Sequence, residues 1–179
     1  MNPAPNLILV GPMGAGKTSL GTRLARKLGL EFIDADAHLE AAAGASVATI
    51  FELEGEAGFR QREERLLDDL LRGQAQIIAT GGGAVLSPAS RERMVHRAFV
   101  VYVRVGLDHQ LGRLARDHLR PLLATGDRPE KLRALAAIRN PLYESVADLM
   151  FDSDGLDVAA AARKLGNQVQ AAWKREQSA

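Results

Sequence analysis

Lys17 and Thr18 close the run Gly11-Pro12-Met13-Gly14-Ala15-Gly16. An ammonium and a hydroxyl placed behind closely spaced glycines suit a polyphosphate and its divalent cation. Glycines let the backbone curl until several N–H groups converge on one phosphate chain. Lys17 then reaches the β- and γ-phosphates, and the Thr18 hydroxyl ligates Mg²⁺. Such a loop needs a strand before it and a helix after it, whose N-terminus adds positive potential. Leu7-Ile8-Leu9-Val10 reads as the strand, and the segment from Ser19 to Leu28 as the helix. That context argues against a glycine-rich turn that binds nothing.

Asp34 and Asp36 stand where a second strand, Leu30 to Ile33, runs out. In an extended chain, residues two apart point to the same side, so both carboxylates would face one cleft. In parallel α/β sheets that cleft lies beyond the carboxyl ends of the strands, where the phosphate loop also sits. One aspartate would hold Mg²⁺ or its waters; the other would orient an attacking hydroxyl and accept its proton. Helix N-capping is the plainer use of such residues. Thr80-Gly81-Gly82-Gly83 ends the strand Gln76-Ile77-Ile78-Ala79. Three glycines let backbone approach a ligand closely, although a flexible turn reads the same way.

The arginines are less decisive. Arg60 shares a helix with Arg62, Glu63, Glu64 and Arg65, and i,i+3 or i,i+4 ion pairs on a solvated face account for such a pattern. Arg113, Arg116 and Arg120 precede Pro121 in a charged segment that suits either a lid or a surface loop. Arg139 precedes Asn140-Pro141-Leu142-Tyr143, where it fits a surface position at a helix kink. His38, His96, His109 and His118 have no ligand-like spacing and read as surface or cap residues.

The elements that must position these groups alternate regularly. Further strands are expected at Ala98 to Val103 and Leu149 to Asp152. Helices are expected to about Ala43, around Ile50 to Leu53, from Phe59 to about Leu71, and from Pro88 to about His96. Three more follow, at Leu107 to Arg116, Pro129 to Val146 and about Leu156 to Trp173, and Pro141 should end or kink the second of them near Asn140. Strands alternating with helices give one α/β domain with a parallel sheet between helical layers. The 179 residues suit a single domain, and 46% hydrophobic content supplies a core. A net charge of +1 gives no reason to expect nucleic acid or membrane as a partner, and the lack of cysteine excludes disulfides and thiolate chemistry. The short polar start Met1-Asn2-Pro3-Ala4-Pro5 fits no signal peptide, so a cytoplasmic location is expected.

Taken together, GPMGAGKTSLG at 11–21, FIDAD at 32–36, FRQREE at 59–64, TGGGAV at 80–85, LRPLL at 119–123 and RNPLY at 139–143 resemble the shikimate kinase family. The resemblance spans about Leu7 to Asp152 and implies a P-loop NTPase fold of the nucleoside-monophosphate-kinase type. That fold is a three-layer sandwich whose five-stranded parallel sheet has order 2-3-1-4-5, with helices on both faces. A substrate-binding segment at about 35–62 and a lid at about 114–126 belong to it. The implied activity is ATP-dependent phosphorylation of the 3-hydroxyl of shikimate, with Mg²⁺, in a protein that leans towards a monomer.

By resemblance, ATP contacts Gly11, Gly14, Ala15, Gly16, Lys17, Thr18 and Ser19, with Arg113 stacking on adenine and Arg120 reaching the phosphates. Thr18 and, through water, Asp34 serve the metal. Asp36 holds shikimate hydroxyls and acts as base, beside the catalytic Lys17 and Arg120. Arg60 and Arg139 grip the carboxylate; Gly81, Gly82 and Gly83 line the site, and Glu63 supports the gripping arginine. The loop after Asp152, Ser153-Asp154-Gly155-Leu156, offers adenine no basic or aromatic side chain. A gluconate kinase would share the phosphate loop without needing the paired arginines, and a non-catalytic nucleotide-binding protein would leave Asp36 without a task.

Overall fold

Every residue of strand β1 (Asn6–Val10) is buried, which is what a central strand covered on both faces requires. Its side chains alternate between two apolar layers. Leu7 and Leu9 pack with Leu24, Phe99, Val101 and Leu165 on one face. Ile8 and Val10 pack with Leu67, Met94, Val100 and Tyr143 on the other. The structure, a computed structural model, describes residues 4–115 and 127–173.

Helix α1 (Lys17–Leu28), β2 (Glu31–Asp34), α2 (Ala35–Ala43) and α3 (Val47–Leu71) lead to β3 (Gln76–Ala79) and a 3-10 turn, Ala84–Leu86. Then come α4 (Pro88–Arg97), β4 (Ala98–Arg104), α5 (Leu107–Leu114), α6 (Arg128–Val146), β5 (Leu149–Asp152) and α7 (Val158–Ala172). The five strands are parallel in the order β2-β3-β1-β4-β5, as expected. With β1 central, the loops after β1, β2 and β3 open at one end of the sheet, which is where the candidate residues lie.

The helix ends follow local chemistry. Gly29 and Gly44 cap α1 and α2 in the left-handed conformation, and Ser46 accepts from the Thr49 amide to start α3. Two expectations change. The long segment breaks at Gly55 alone (φ 70°), so the second part of α3 begins before Phe59 and takes in Gly58. Pro141 does not end α6: the helix continues to Val146 because Arg139, Tyr143 and Val146 are buried on its inner face. Tertiary contacts there outweigh the hydrogen bond that the proline removes.

Candidate active site

The phosphate loop leads into α1 through Gly16, whose φ of 91° only glycine adopts readily. Lys17 is buried, and its ammonium donates to the carbonyls of Gly11 (2.7 Å) and Pro12 (2.9 Å), folding over the loop it must serve. The Thr18 hydroxyl donates to Asp34 Oδ2 at 2.6 Å. Asp34 Oδ1 meanwhile accepts from the Ala37 amide at 3.2 Å and caps α2. The capping and metal-side readings of Asp34 are therefore compatible, one for each oxygen.

Asp36 reaches the site by a different route from the one the spacing suggests. It stands in the first turn of α2, outside the extended chain, so the same-side argument for Asp34 and Asp36 does not apply. A Cβ built on Gly81 would lie 2.8 Å from Asp36 Oδ1 and 2.6 Å from Glu63 Oε1. The helix start thus sends Asp34 towards the phosphate loop and Asp36 towards the glycine strip.

Around that strip lies a cleft lined by Asp36, Arg60, Glu63, Arg139, the three glycines and an apolar wall of Val47, Phe51 and Phe59. A second cleft follows the phosphate loop along Gly14, Gly16, Lys17, Thr18 and Ser19. Met13, Gly81 and Gly82 line both, so the two clefts meet there. The polar cleft along the phosphate loop suits a phosphate chain, and the cleft with an arginine pair and an apolar wall suits a small anionic molecule.

Arg60 and Arg62 behave oppositely, although their helix makes them look alike in sequence. Arg62 pairs with Glu54 on the exposed face. Arg60 donates to buried Glu63 at 2.7 Å and to Glu56 at 3.2 Å, and its guanidinium lies against Gly83. Glu64, the other sequence candidate for Arg60, accepts instead from Ser87. Arg139 is 5% exposed, and among the described residues no carboxylate stands within ion-pair distance of it. Burial lowers its pKa from the usual arginine value. A cation held this way gains from an anionic ligand in the cleft.

Glu63 is 6% exposed, and its Oε1 has no hydrogen-bond partner. Burial raises its pKa even with Arg60 opposing the shift from 2.7 Å. A carboxyl whose pKa is higher in the folded state than in the unfolded state binds an extra proton on folding. Its contribution is full below the ordinary carboxylate range and is lost as pH rises through the raised value. Glu63→Gln is therefore expected to gain stability relative to the parent protein as pH rises from about 4. Denaturant melts of both proteins across that range test this, and a pH-independent difference would refute it.

Arg113 donates to the carbonyls of Gly14 (3.0 Å) and Ala15 (3.2 Å) and to both the hydroxyl (3.2 Å) and the carbonyl (3.1 Å) of Ser153. It ties the phosphate loop to the loop after β5. Arg116 and Arg120, and most of the proposed lid, lie outside the described residues. Two supporting residues escaped the sequence reading. Gln110 is buried on α5 and donates to the Met13 carbonyl at 2.8 Å; its signal is a polar residue at an apolar helical position, between Leu107 and Leu114. Tyr143 donates from its hydroxyl to the Gly82 carbonyl, and four residues after Arg139 it falls on the same helix face.

A Gly-Lys-Thr phosphate loop on a parallel sheet of this order, opening into an arginine-lined acceptor cleft, defines a P-loop small-molecule kinase. The family model for shikimate kinase matches residues 13–170. The chain belongs to the shikimate kinase family. A shikimate kinase of Stenotrophomonas maltophilia is 52% identical over 176 residues, covering 98% of each chain. The structure of shikimate kinase from Acinetobacter baumannii in complex with shikimate is similar at a TM-score of 0.87 and 44% identity, covering 93% of this chain and 91% of that one. Shikimate kinase from Aquifex aeolicus matches at a TM-score of 0.79 and 28% identity, over 93% and 98% respectively. No helix among the described residues is long and apolar enough to cross a membrane.

Proposed function

We propose that this protein transfers the γ-phosphoryl group of ATP to the 3-hydroxyl of shikimate, giving shikimate 3-phosphate and ADP. The observation that carries this reading is Arg139, a buried guanidinium without an ionic partner among the described residues, opening onto the cleft that meets the phosphate loop. A ring carboxylate supplies the missing anion, and guanidinium geometry suits it bidentately. Arg60, held by Glu63 over Gly83, stands as the second member of the grip.

The Thr18 hydroxyl, which donates to Asp34 Oδ2 at 2.6 Å, would ligate Mg²⁺, and Asp34 would hold one of the ion's waters, hard oxygens that fit this ion. Held there with ATP, Mg²⁺ would supply positive charge to the β- and γ-phosphates. Asp36 orients the 3-hydroxyl and takes its proton as the oxygen bonds to the γ-phosphorus and the bond to the bridging oxygen breaks. Lys17 meets the charge that builds on the phosphates, and by family resemblance Arg120 joins it. Arg113, at the join of the phosphate loop and the loop after β5, serves the nucleotide. We read the chain as one domain and a monomer, with the acceptor segment at about 35–62 and a lid at about 114–126.

The test is ADP release with Mg²⁺-ATP, comparing shikimate, gluconate and no acceptor. Shikimate-dependent turnover is the expected result. Turnover with gluconate alone would move the protein to another small-molecule kinase, and ATP binding without turnover would make it a nucleotide-binding protein.

Gly83 gives a more local check. A Cβ there would stand 2.3 Å from Cζ, Nη1 and Nη2 of Arg60, so alanine must push the guanidinium off the strip. Gly83→Ala is expected to raise the shikimate KM about tenfold, the scale of one charged hydrogen bond, with the ATP KM unchanged. A variant with parental KM for both substrates would remove Arg60 from the grip.

A further inference from the structure

Tyr143 belongs to a motif that the mechanism above leaves without a task, yet it is among the most completely buried residues, at 1% exposed. Its ring tilts against Tyr102 with centroids 5.0 Å apart, and the Tyr102 hydroxyl donates to Asn140 at 3.2 Å. Both rings belong to the apolar layer beneath β1 and β4. Packing alone would be met by phenylalanine, and a buried hydroxyl is costly unless it is bonded.

The bond it makes is informative. Tyr143 donates to the carbonyl of Gly82, the central glycine of the strip, 61 residues away in sequence. Arg139, one turn earlier on α6, brings Nη1 to 3.5 Å from where a Cβ on the same Gly82 would stand. Two side chains from one helix face therefore converge on one peptide, Tyr143 at its carbonyl and Arg139 beside its Cα. The Arg139 cation is also close enough to the Tyr143 phenol to act on it electrostatically. Burial raises the phenol pKa well above its ordinary value, so the group stays a donor across the working pH range.

We infer that the Tyr143 hydroxyl is a positioning group for the shikimate carboxylate grip, fixing Gly82 and Arg139 relative to one another. This rests on the assignment of Arg139 to that carboxylate. A long arginine side chain loses rotamer freedom when it is held in one orientation. Without a carboxylate to hold it among the described residues, Arg139 depends on neutral neighbours for its orientation. Tyr143 supplies one that leaves the cation's charge for the ligand.

Tyr143→Phe keeps the ring and removes the hydroxyl. The expected result is a shikimate KM raised about tenfold, with the ATP KM and kcat each within about threefold and the thermal midpoint lowered by a few degrees at most. In an Arg139→Ala background the same change should add little, since the hydroxyl acts through the arginine. A packing role would instead lower the midpoint and shift both substrates' constants together. An unchanged shikimate KM, or full additivity with Arg139→Ala, overturns the inference, whereas parental turnover of shikimate decides the functional reading separately.

The chain has two tyrosines, so fluorotyrosine labelling yields two ¹⁹F resonances, and Tyr102→Phe assigns them. Shikimate should shift the Tyr143 resonance in the otherwise unmodified protein. A resonance unmoved at saturating shikimate would also overturn the inference, even if Tyr143→Phe does not fold.

Discussion

Asparagine in place of Asp36 is expected to lower kcat for shikimate phosphorylation by about 10³-fold, within the usual span for loss of a positioned acid–base group. Asn keeps the size of the side chain and its capacity to accept a hydrogen bond. It cannot take the proton that the attacking hydroxyl must release. Because Asp36 faces the glycine strip, while the phosphate loop's hydroxyl is bonded to Asp34, the ATP KM should stay within about twofold. Single-turnover measurements at saturating Mg²⁺-ATP and shikimate separate the chemical step from binding. A parental rate in the variant would remove Asp36 from proton transfer. An equal loss of ATP affinity would move it to the metal side with Asp34.

The second large effect concerns Arg139. Arg139→Ala is expected to raise the shikimate KM by about 10²-fold or more, since truncating one partner of a buried, hydrogen-bonded charge pair costs about 2–5 kcal/mol. The ATP KM should hardly move, because Arg139 lines the acceptor cleft and is absent from the walls of the phosphate cleft. Arg139→Lys should recover little of the loss: an ammonium is a point charge and cannot present two parallel N–H groups to a carboxylate. The apo protein should tolerate the change well, since a desolvated cation without an ionic partner among the described residues contributes little to folding. Shikimate titrations by calorimetry, with ATP titrations alongside, test both statements. Unchanged shikimate affinity would end the carboxylate-grip assignment.

These two residues differ in how far the sequence alone identifies them. Asp36 lies two positions from Asp34 at a strand end, and that address marks it, although the same-side argument fails because α2 has begun by then. Arg139 has no such address. Its sequence context fits a surface arginine beside a proline as well as a buried one, and family resemblance is what distinguishes it. Arg60 is the clearest case. Periodicity treats it like Arg62, but burial of Glu63 on one helix face and exposure of Glu54 on the other separate an arginine lining the glycine-strip cleft from a solvated ion pair.

What the sequence by itself determined is whatever is written in contiguous residues. The phosphate loop at 11–18 is a backbone shape that glycines permit and a strand–helix pair frames. The cap at Ser46 and the stops at Gly29 and Gly44 follow from hydrogen bonds and dihedral angles within a few residues. The alternation of strands and helices, and hence the layered α/β fold, follows from short apolar periods. Tertiary structure decided which distant groups meet. Thr18 finds Asp34, Arg60 lies on Gly83, and Arg139 and Tyr143 converge on Gly82. Those meetings depend on strand order and on which helix face is buried against the sheet. Such packing sums many weak apolar contacts across the whole chain, and no local run of residues encodes it.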